Sequence, residues 1–359
     1  MMTLSAIKYS WALQPIAAIV SAASMLLGAA GCARPAGDIF APFEPAVVWP
    51  LPPDPPRIRC LGQIRSSEDL LPAKSGWQVF QERLHPEEAR PTTLNKPHAV
   101  AVLGQRVYVT DTGAACLHIL DLEQRTHRRI ESAGGDRLTS PAGVAVGPTS
   151  VFVTDAVLGD VIEYSPGGDF QRRLGIDLHR PSGLAYCPDN DRLYVIDTAA
   201  HRCVIVGRDR RDAANWSVVG TFGQRGTEPG MFNFPTDIAY HPLMGLIVSD
   251  TLNFRIQVLG LDGAFKSQIG RKGDGAGDFS LPKGVAVDSD GQLYVVDAHF
   301  ENVQVFRSDG QLLLAFGGEG DQLGQFAVPT GIAIDDRDRI WVADSYNHRL
   351  QILQYISPQ

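Results

Sequence analysis

Six aspartates recur along the chain, each closing a short apolar run: Asp111, Asp155, Asp197, Asp250, Asp297 and Asp344. A ring of carboxylates could hold a divalent cation, and that is the first chemistry the set suggests. In three copies, however, an arginine follows five residues later, giving Asp197–Arg202, Asp250–Arg255 and Asp344–Arg349. A carboxylate facing a guanidinium fork across a tight turn is satisfied by charge-assisted hydrogen bonds, so these pairs read as structural clasps. Copies one, two and five carry Cys116, Asp160 and Asn302 at the arginine position, which leaves their aspartates less fully accounted for.

The elements that position these residues follow from their recurrence. A proline opens each copy, at Pro97, Pro141, Pro181, Pro235, Pro282 and Pro329, at intervals of 44, 40, 54, 47 and 47 residues. Six copies at one period imply one supersecondary unit per repeat. Within a copy, runs such as "TGIAI" and "RIWVAD" flank the polar turn "DDRD", and "RLQIL" alternates apolar with polar. These are strand patterns, and no window between 95 and 355 reads as a helix of three turns. The expected fold class is all-β, a six-bladed β-propeller of four-stranded blades whose closure leaves only short edges. The loops "GQRGTEPGMFNFP", "GRKGDGAGDFSLP" and "GGEGDQLGQFAVP" share one glycine spacing and lead into strands, so they are read as blade crossings rather than phosphate cradles.

The P-x-G-[IV]-A-[VI] opening, the apolar run ending in Asp and the D-x-x-N-x-R-[IL]-Q-[IV] continuation together resemble NHL repeats. The resemblance spans about residues 95–355, is strong in copies four to six, and implies a six-bladed propeller. The last copy runs out after its third strand at 349–355. The N-terminal "PRIRCLGQIRS", residues 56–66, resembles the other fourth strands and is expected to complete blade six through 57–64. Residues 66–94 then become an insertion, with a short helix expected around 76–84.

The N-terminus carries other signals. Lys8 is the only charge in residues 1–31, which form a long apolar stretch ending in small residues, as a secretory signal does. The ending Ala29-Ala30-Gly31-Cys32 resembles the lipobox of bacterial lipoproteins, although leucine is more usual where Ala29 stands. That resemblance implies cleavage before Cys32 and acylation of its thiol; Ala33 after it favours the outer membrane if the host is Gram-negative. Residues 32–56 hold 8 of the 24 prolines. They read as a tether reaching at most ~70 Å in polyproline conformation. The domain expectation is therefore a signal peptide over 1–31, a tether over 32–56 and a propeller over 57–359.

The formal net charge is −8, and removing residues 1–31 deletes Lys8 and leaves −9. An acidic exported domain is a poor nucleic-acid binder, because phosphate contacts need a basic field. Membrane contact is expected through the lipid anchor only. Cys60, Cys116, Cys187 and Cys203 lack metal-type spacing, and both disulfides and buried free thiols remain open readings.

Propeller topology brings the residue after each repeat proline to the central mouth: His98, Ala142, Ser182, Thr236, Lys283 and Thr330. Neighbouring loops carry Phe254, His299, Phe300 and Tyr346. His98, Thr236, Phe254, Lys283, His299, Phe300, Thr330 and Tyr346 form the candidate binding face, with aromatic side chains as potential anchors. A catalytic zinc needs three convergent ligands, and only His98 occupies the mouth, with His299 nearby. No catalytic residues, metal or cofactor are therefore expected. The reading is a non-enzymatic, lipid-anchored scaffold for an envelope protein or glycan. The alternative is a metal-dependent propeller enzyme resembling the amidating lyases or the gluconolactonases.

Overall fold

The computed structural model describes residues 39–40, 44–71, 91–208 and 215–356. Cys32 and the helix expected around 76–84 lie outside the described residues. Six four-stranded antiparallel blades follow one another around a ring. Blade five is typical, with strands Pro282–Val287, Leu293–Asp297, Asn302–Phe306 and Leu312–Gly317 running from the axis outward. The innermost strands of successive blades touch all the way round, including those of blades six and one. The chain is an all-β, six-bladed β-propeller, and the three degenerate copies form blades as complete as the others.

Each pair of adjacent blades encloses its own apolar cluster, so six clusters form the core. Alternation along the strands puts these residues on the faces that meet neighbouring blades. In the glycine-rich crossings, Phe232, Phe279 and Phe326 are fully buried at the seams. Gly223, Gly270 and Gly317 lie beneath them with positive φ, and a Cβ there would come within 2.5 Å of the ring. The glycines are needed for packing as well as for the turn.

Ring closure joins the two ends of the folded domain. Ile58–Ile64 pairs antiparallel with Arg349–Tyr355 and is the fourth strand of blade six. Ile58 and Ile64 are completely buried there. The same sheet has a fifth strand: Val48–Trp49 pairs with Arg59 and Ile58.

That strand corrects the tether reading over residues 44–56. Trp49 packs against Phe316 with ring centroids 5.8 Å apart, and Phe40 meets Trp341 edge-on at 5.9 Å. The apolar, β-prone residues Val47, Val48 and Trp49 outweigh the prolines around them. An edge strand tolerates prolines because its outward N–H groups need no partner. A reach of ~70 Å therefore does not hold for residues 44–56. Within the insertion, Ser67–Leu70 forms one 3-10 turn capped by Ser66. Cys60, Cys116, Cys187 and Cys203 are buried free thiols.

Candidate functional site

The mouth is a cavity of about 250 Å³ at one end of the central channel. All six residues expected there line it: His98, Ala142, Ser182, Thr236, Lys283 and Thr330. Thr112, Ala156 and Thr198, from loops joining second and third strands, line it as well. Below, a second cavity of about 240 Å³ continues between the apolar inner strands.

Most mouth hydroxyls are engaged in holding the ring together. Ser182 Oγ meets Thr198 Oγ1 at 2.7 Å and donates to the Thr236 carbonyl at 2.8 Å, while Thr198 Oγ1 donates to the Pro235 carbonyl at 2.8 Å. Thr236 and Thr251 repeat the arrangement toward Pro282, as do Thr330 and Ser345 toward Pro97 and His98. Each hydroxyl pair ties its own blade to the next as an inter-blade latch, so Thr236 and Thr330 of the candidate binding face have their hydroxyls already engaged. The pattern S/T after the proline with S/T after the aspartate was its available signal.

Two cationic groups, Lys283 and Arg180, remain at the mouth beside the imidazole of His98. Lys283 makes no hydrogen bond or ion pair among the described residues, and burial together with the nearby Arg180 charge lowers its pKa. Arg180, which sequence reasoning missed, lies over the Phe234 ring at 5.7 Å and lines the cavity. His98 bonds the Ala142 carbonyl through Nδ1 at 2.8 Å; burial, then the Lys283 charge, pushes its pKa down.

A fourth ionisable group, Asp237, sits at the channel neck. Four of the six copies have glycine two residues after the proline: Gly143, Gly183, Gly284 and Gly331. A Cβ at any of these would lie within 2.5 Å of an atom of the next inner strand. Copy four has Asp237 instead, packed over Gly183, with Oδ2 accepting from the Val285 N–H at 3.0 Å. Burial pushes its carboxyl up to about 7, against the opposing effect of the Val285 and Ile238 N–H groups. The departure was visible in "FPTDIAY" once the copies were aligned.

The rim residues do not reach this cavity. Tyr346 is exposed, at 59%, with Lys96 Nζ 5.2 Å from its ring centroid, and His299 is exposed as well. Phe254 is half buried against the core between blades four and five, under Lys272 Nζ at 5.1 Å, and has a left-handed φ of 57°. It is part of a turn rather than a loop tip. His299 and Phe300 pack on each other at 5.9 Å.

The clasps differ in depth. Arg349 and Asp344 are almost wholly buried, with Nε to Oδ2 at 2.7 Å; Arg255 and Asp250 are similar at 2.8 Å. Arg202 holds Asp197 at 3.1 Å with its side chain 32% exposed. In blade one, His118 Nε2 meets Asp111 Oδ2 at 3.3 Å in the arginine's stead, with Cys116 beside it. Among the described residues no group of three His, Cys, Asp or Glu is arranged to hold a metal.

Comparison with known families decides what the repeats are: residues 279–307 and 326–353 match the NHL repeat. Blades five and six are NHL repeats. No curated protein sequence matches the chain. Among solved structures, an auxiliary nutrient binding protein from Bacteroides thetaiotaomicron is 15% identical, with 74% of this chain and 70% of that one covered and a TM-score of 0.55. Virginiamycin B lyase from Staphylococcus aureus is 14% identical, with 73% and 96% covered and a TM-score of 0.51. A Bacteroides thetaiotaomicron protein of unknown function is 16% identical, with 73% and 70% covered and a TM-score of 0.57. At these identities the likeness of an NHL-bearing propeller to each is one of fold.

Proposed function

We propose that this NHL-bearing propeller is an exported, lipid-anchored envelope protein whose mouth binds an anionic group on a protein or glycan partner. The observation that carries the reading is the convergence of Lys283 and Arg180 on one cavity, beside the neutral imidazole of His98, with Lys283 free of any carboxylate partner among the described residues. In a chain of formal charge −8, a local cluster of this sign is selective for anions. The name auxiliary nutrient binding protein, carried by the Bacteroides relative, is consistent with a ligand-holding mouth on this fold. The Cys32 lipobox supports anchoring, and exposed Tyr346 supplies an aromatic surface beside the mouth.

The test is capture from envelope extracts by immobilised mature protein. Lys283→Met with Arg180→Met is expected to abolish partner recovery and its sensitivity to salt, and Tyr346→Ala to weaken recovery. A control on Asp336 and Arg337, both exposed in a hairpin turn of blade six, should leave it unchanged. Equal recovery by wild type and the mouth variant removes the mouth as the site. For the anchor, Cys32→Ser should prevent acyl labelling, and an unlabelled mature wild-type protein would remove that part of the reading.

A further inference from the structure

Blade five has lost its clasp, and the loss leaves a cavity. In blade six, Arg349 Nε donates to Asp344 at 2.7 Å, Nη1 to Gln63 Oε1 and the Asp321 carbonyl at 2.8 Å, and Nη2 to the Gln322 and Gln325 carbonyls at 2.9 and 2.8 Å. Blade four repeats this, with Arg255 bonding Asp250, Gln268 Oε1 and the Glu228 and Met231 carbonyls. Strand register identifies the blade-five counterparts. Asp297 pairs with Asn302 where Asp344 pairs with Arg349, and Gln304 pairs with Ala315 where Gln257 pairs with Gln268. The asparagine of the turn, Asn253 or Asn347 in the sister blades, is Phe300.

Three positions that build and fill the guanidinium socket have thus changed together, from Asn, Arg and Gln to Phe, Asn and Ala. The socket itself persists. The crossing loop returns at the same spacing, since the bridge Lys272–Phe279 matches Glu319–Phe326, so Asp274, Gly275 and Asp278 stand where Asp321, Gln322 and Gln325 offer carbonyls. Gln304 still donates to the Asp278 carbonyl at 2.9 Å, as Gln257 does to Met231. In place of the arginine is a cavity of about 370 Å³ whose lining includes Asp274, Gly275, Phe300, Asn302, Gln304 and Ala315. Asn302 Oδ1 is buried without a hydrogen-bond partner, a state that favours the arrival of a donor.

We infer that this blade-five cavity binds a guanidinium group supplied from outside the chain, as an arginine side chain or a small guanidino compound. The planar fork matches the loop carbonyls that receive it in blades four and six, Asn302 Oδ1 supplies a further acceptor, and Phe300 supplies an aromatic wall for stacking. Asp274 contributes negative charge, and among the described residues no Lys or Arg lines the cavity to oppose a cation.

The probes are ethylguanidine, ethylammonium, free arginine and a Gly-Arg-Gly peptide, titrated into the folded protein and followed by calorimetry and by crystals soaked with ethylguanidine. Ethylguanidine is expected to bind roughly tenfold more tightly than ethylammonium, because a fork makes more hydrogen bonds than a point charge. It should be seen between Phe300 and Asn302. Tighter binding of the peptide than of free arginine assigns the site to a partner side chain, and the reverse assigns it to a small molecule. Asn302→Arg with Ala315→Gln should refill the socket, raise the melting temperature and abolish binding; Asn302→Leu should block binding without a clasp. No ethylguanidine in the cavity, equal affinity for ethylammonium, or binding unchanged in the blocked variants that fold would overturn the inference.

Discussion

Replacing Arg349 with alanine separates two clasps that the sequence writes identically. Arg349 is 1% exposed, and its five hydrogen bonds reach Asp344, the crossing loop and Gln63 on the N-terminal strand of blade six. Its loss leaves the Asp321 carbonyl and the Gln63 amide oxygen without the arginine donor, while the Gln322 carbonyl keeps the Gln325 N–H, the Gln325 carbonyl keeps Gln351 Nε2, and Asp344 keeps the Ala327 N–H, Asn347 and Gln351. Breaking a buried pair of this kind costs about 3–5 kcal/mol. Among the described residues Arg202 reaches only Asp197 Oδ2, at 3.2 Å through Nε and 3.1 Å through Nη2, with its side chain 32% exposed. Solvent screening reduces that pair to about 1 kcal/mol. Asp197 also retains the His179 and Arg180 N–H groups. In urea titrations of both variants, Arg349→Ala should therefore lose about three to five times the stability that Arg202→Ala loses. Its melting temperature should fall by roughly 6–20 °C, at about 2–4 °C per kcal/mol for a large domain. Equal losses in the two variants would refute the claim that burial and the extra carbonyl contacts, rather than the Asp–Arg pair itself, set the value of a clasp.

Other outcomes follow from the same geometry. Deleting residues 57–64 removes two fully buried isoleucines and opens the ring; the loss should exceed about 5 kcal/mol and abolish a single cooperative melt, and an unchanged transition would show that another segment closes blade six. Gly284→Ala places a Cβ 2.5 Å from the Thr330 carbonyl oxygen, a backbone atom, and should cost at least about 1–3 kcal/mol. Gly291→Ala, with positive φ but open space, should cost only about 1 kcal/mol, and denaturation of the pair tests the difference. Asp237 has its carboxyl raised from 3.8 to about 7, so the folded state holds its proton more tightly than the unfolded chain does. Its contribution is therefore full below about pH 4 and is lost as pH rises through about 7, by at most about 4 kcal/mol and less where channel water screens the charge. Stability of Asp237→Asn relative to wild type should rise over that window, and a flat difference across it would show that Asp237 ionises normally.

The sequence by itself determined the ring. A period-2 apolar pattern can be satisfied only by strands buried on alternate faces, and six copies of one unit must stack to cover those faces. That is why "TGIAI" and "RIWVAD" announced blades, and why Pro97 through Pro329 correctly placed His98, Lys283 and their neighbours around the mouth. The three degenerate copies folded as blades because position, not wording, supplies their neighbours. What the tertiary structure alone decided are the properties that depend on partners distant in the chain. Asp197–Arg202 and Asp344–Arg349 are the same words, but Gln63, 286 residues from Arg349, makes one of them a buried hub. Val48–Trp49 looked like tether until an exposed strand edge at Ile58–Ile64 was there to receive it. Asn302 was visible as a missing arginine, yet only the facing Ala315 and the persistent crossing loop turn that absence into a cavity. Local pattern specifies the strand; burial, charge and empty space are sums over neighbours that only the closed ring brings together.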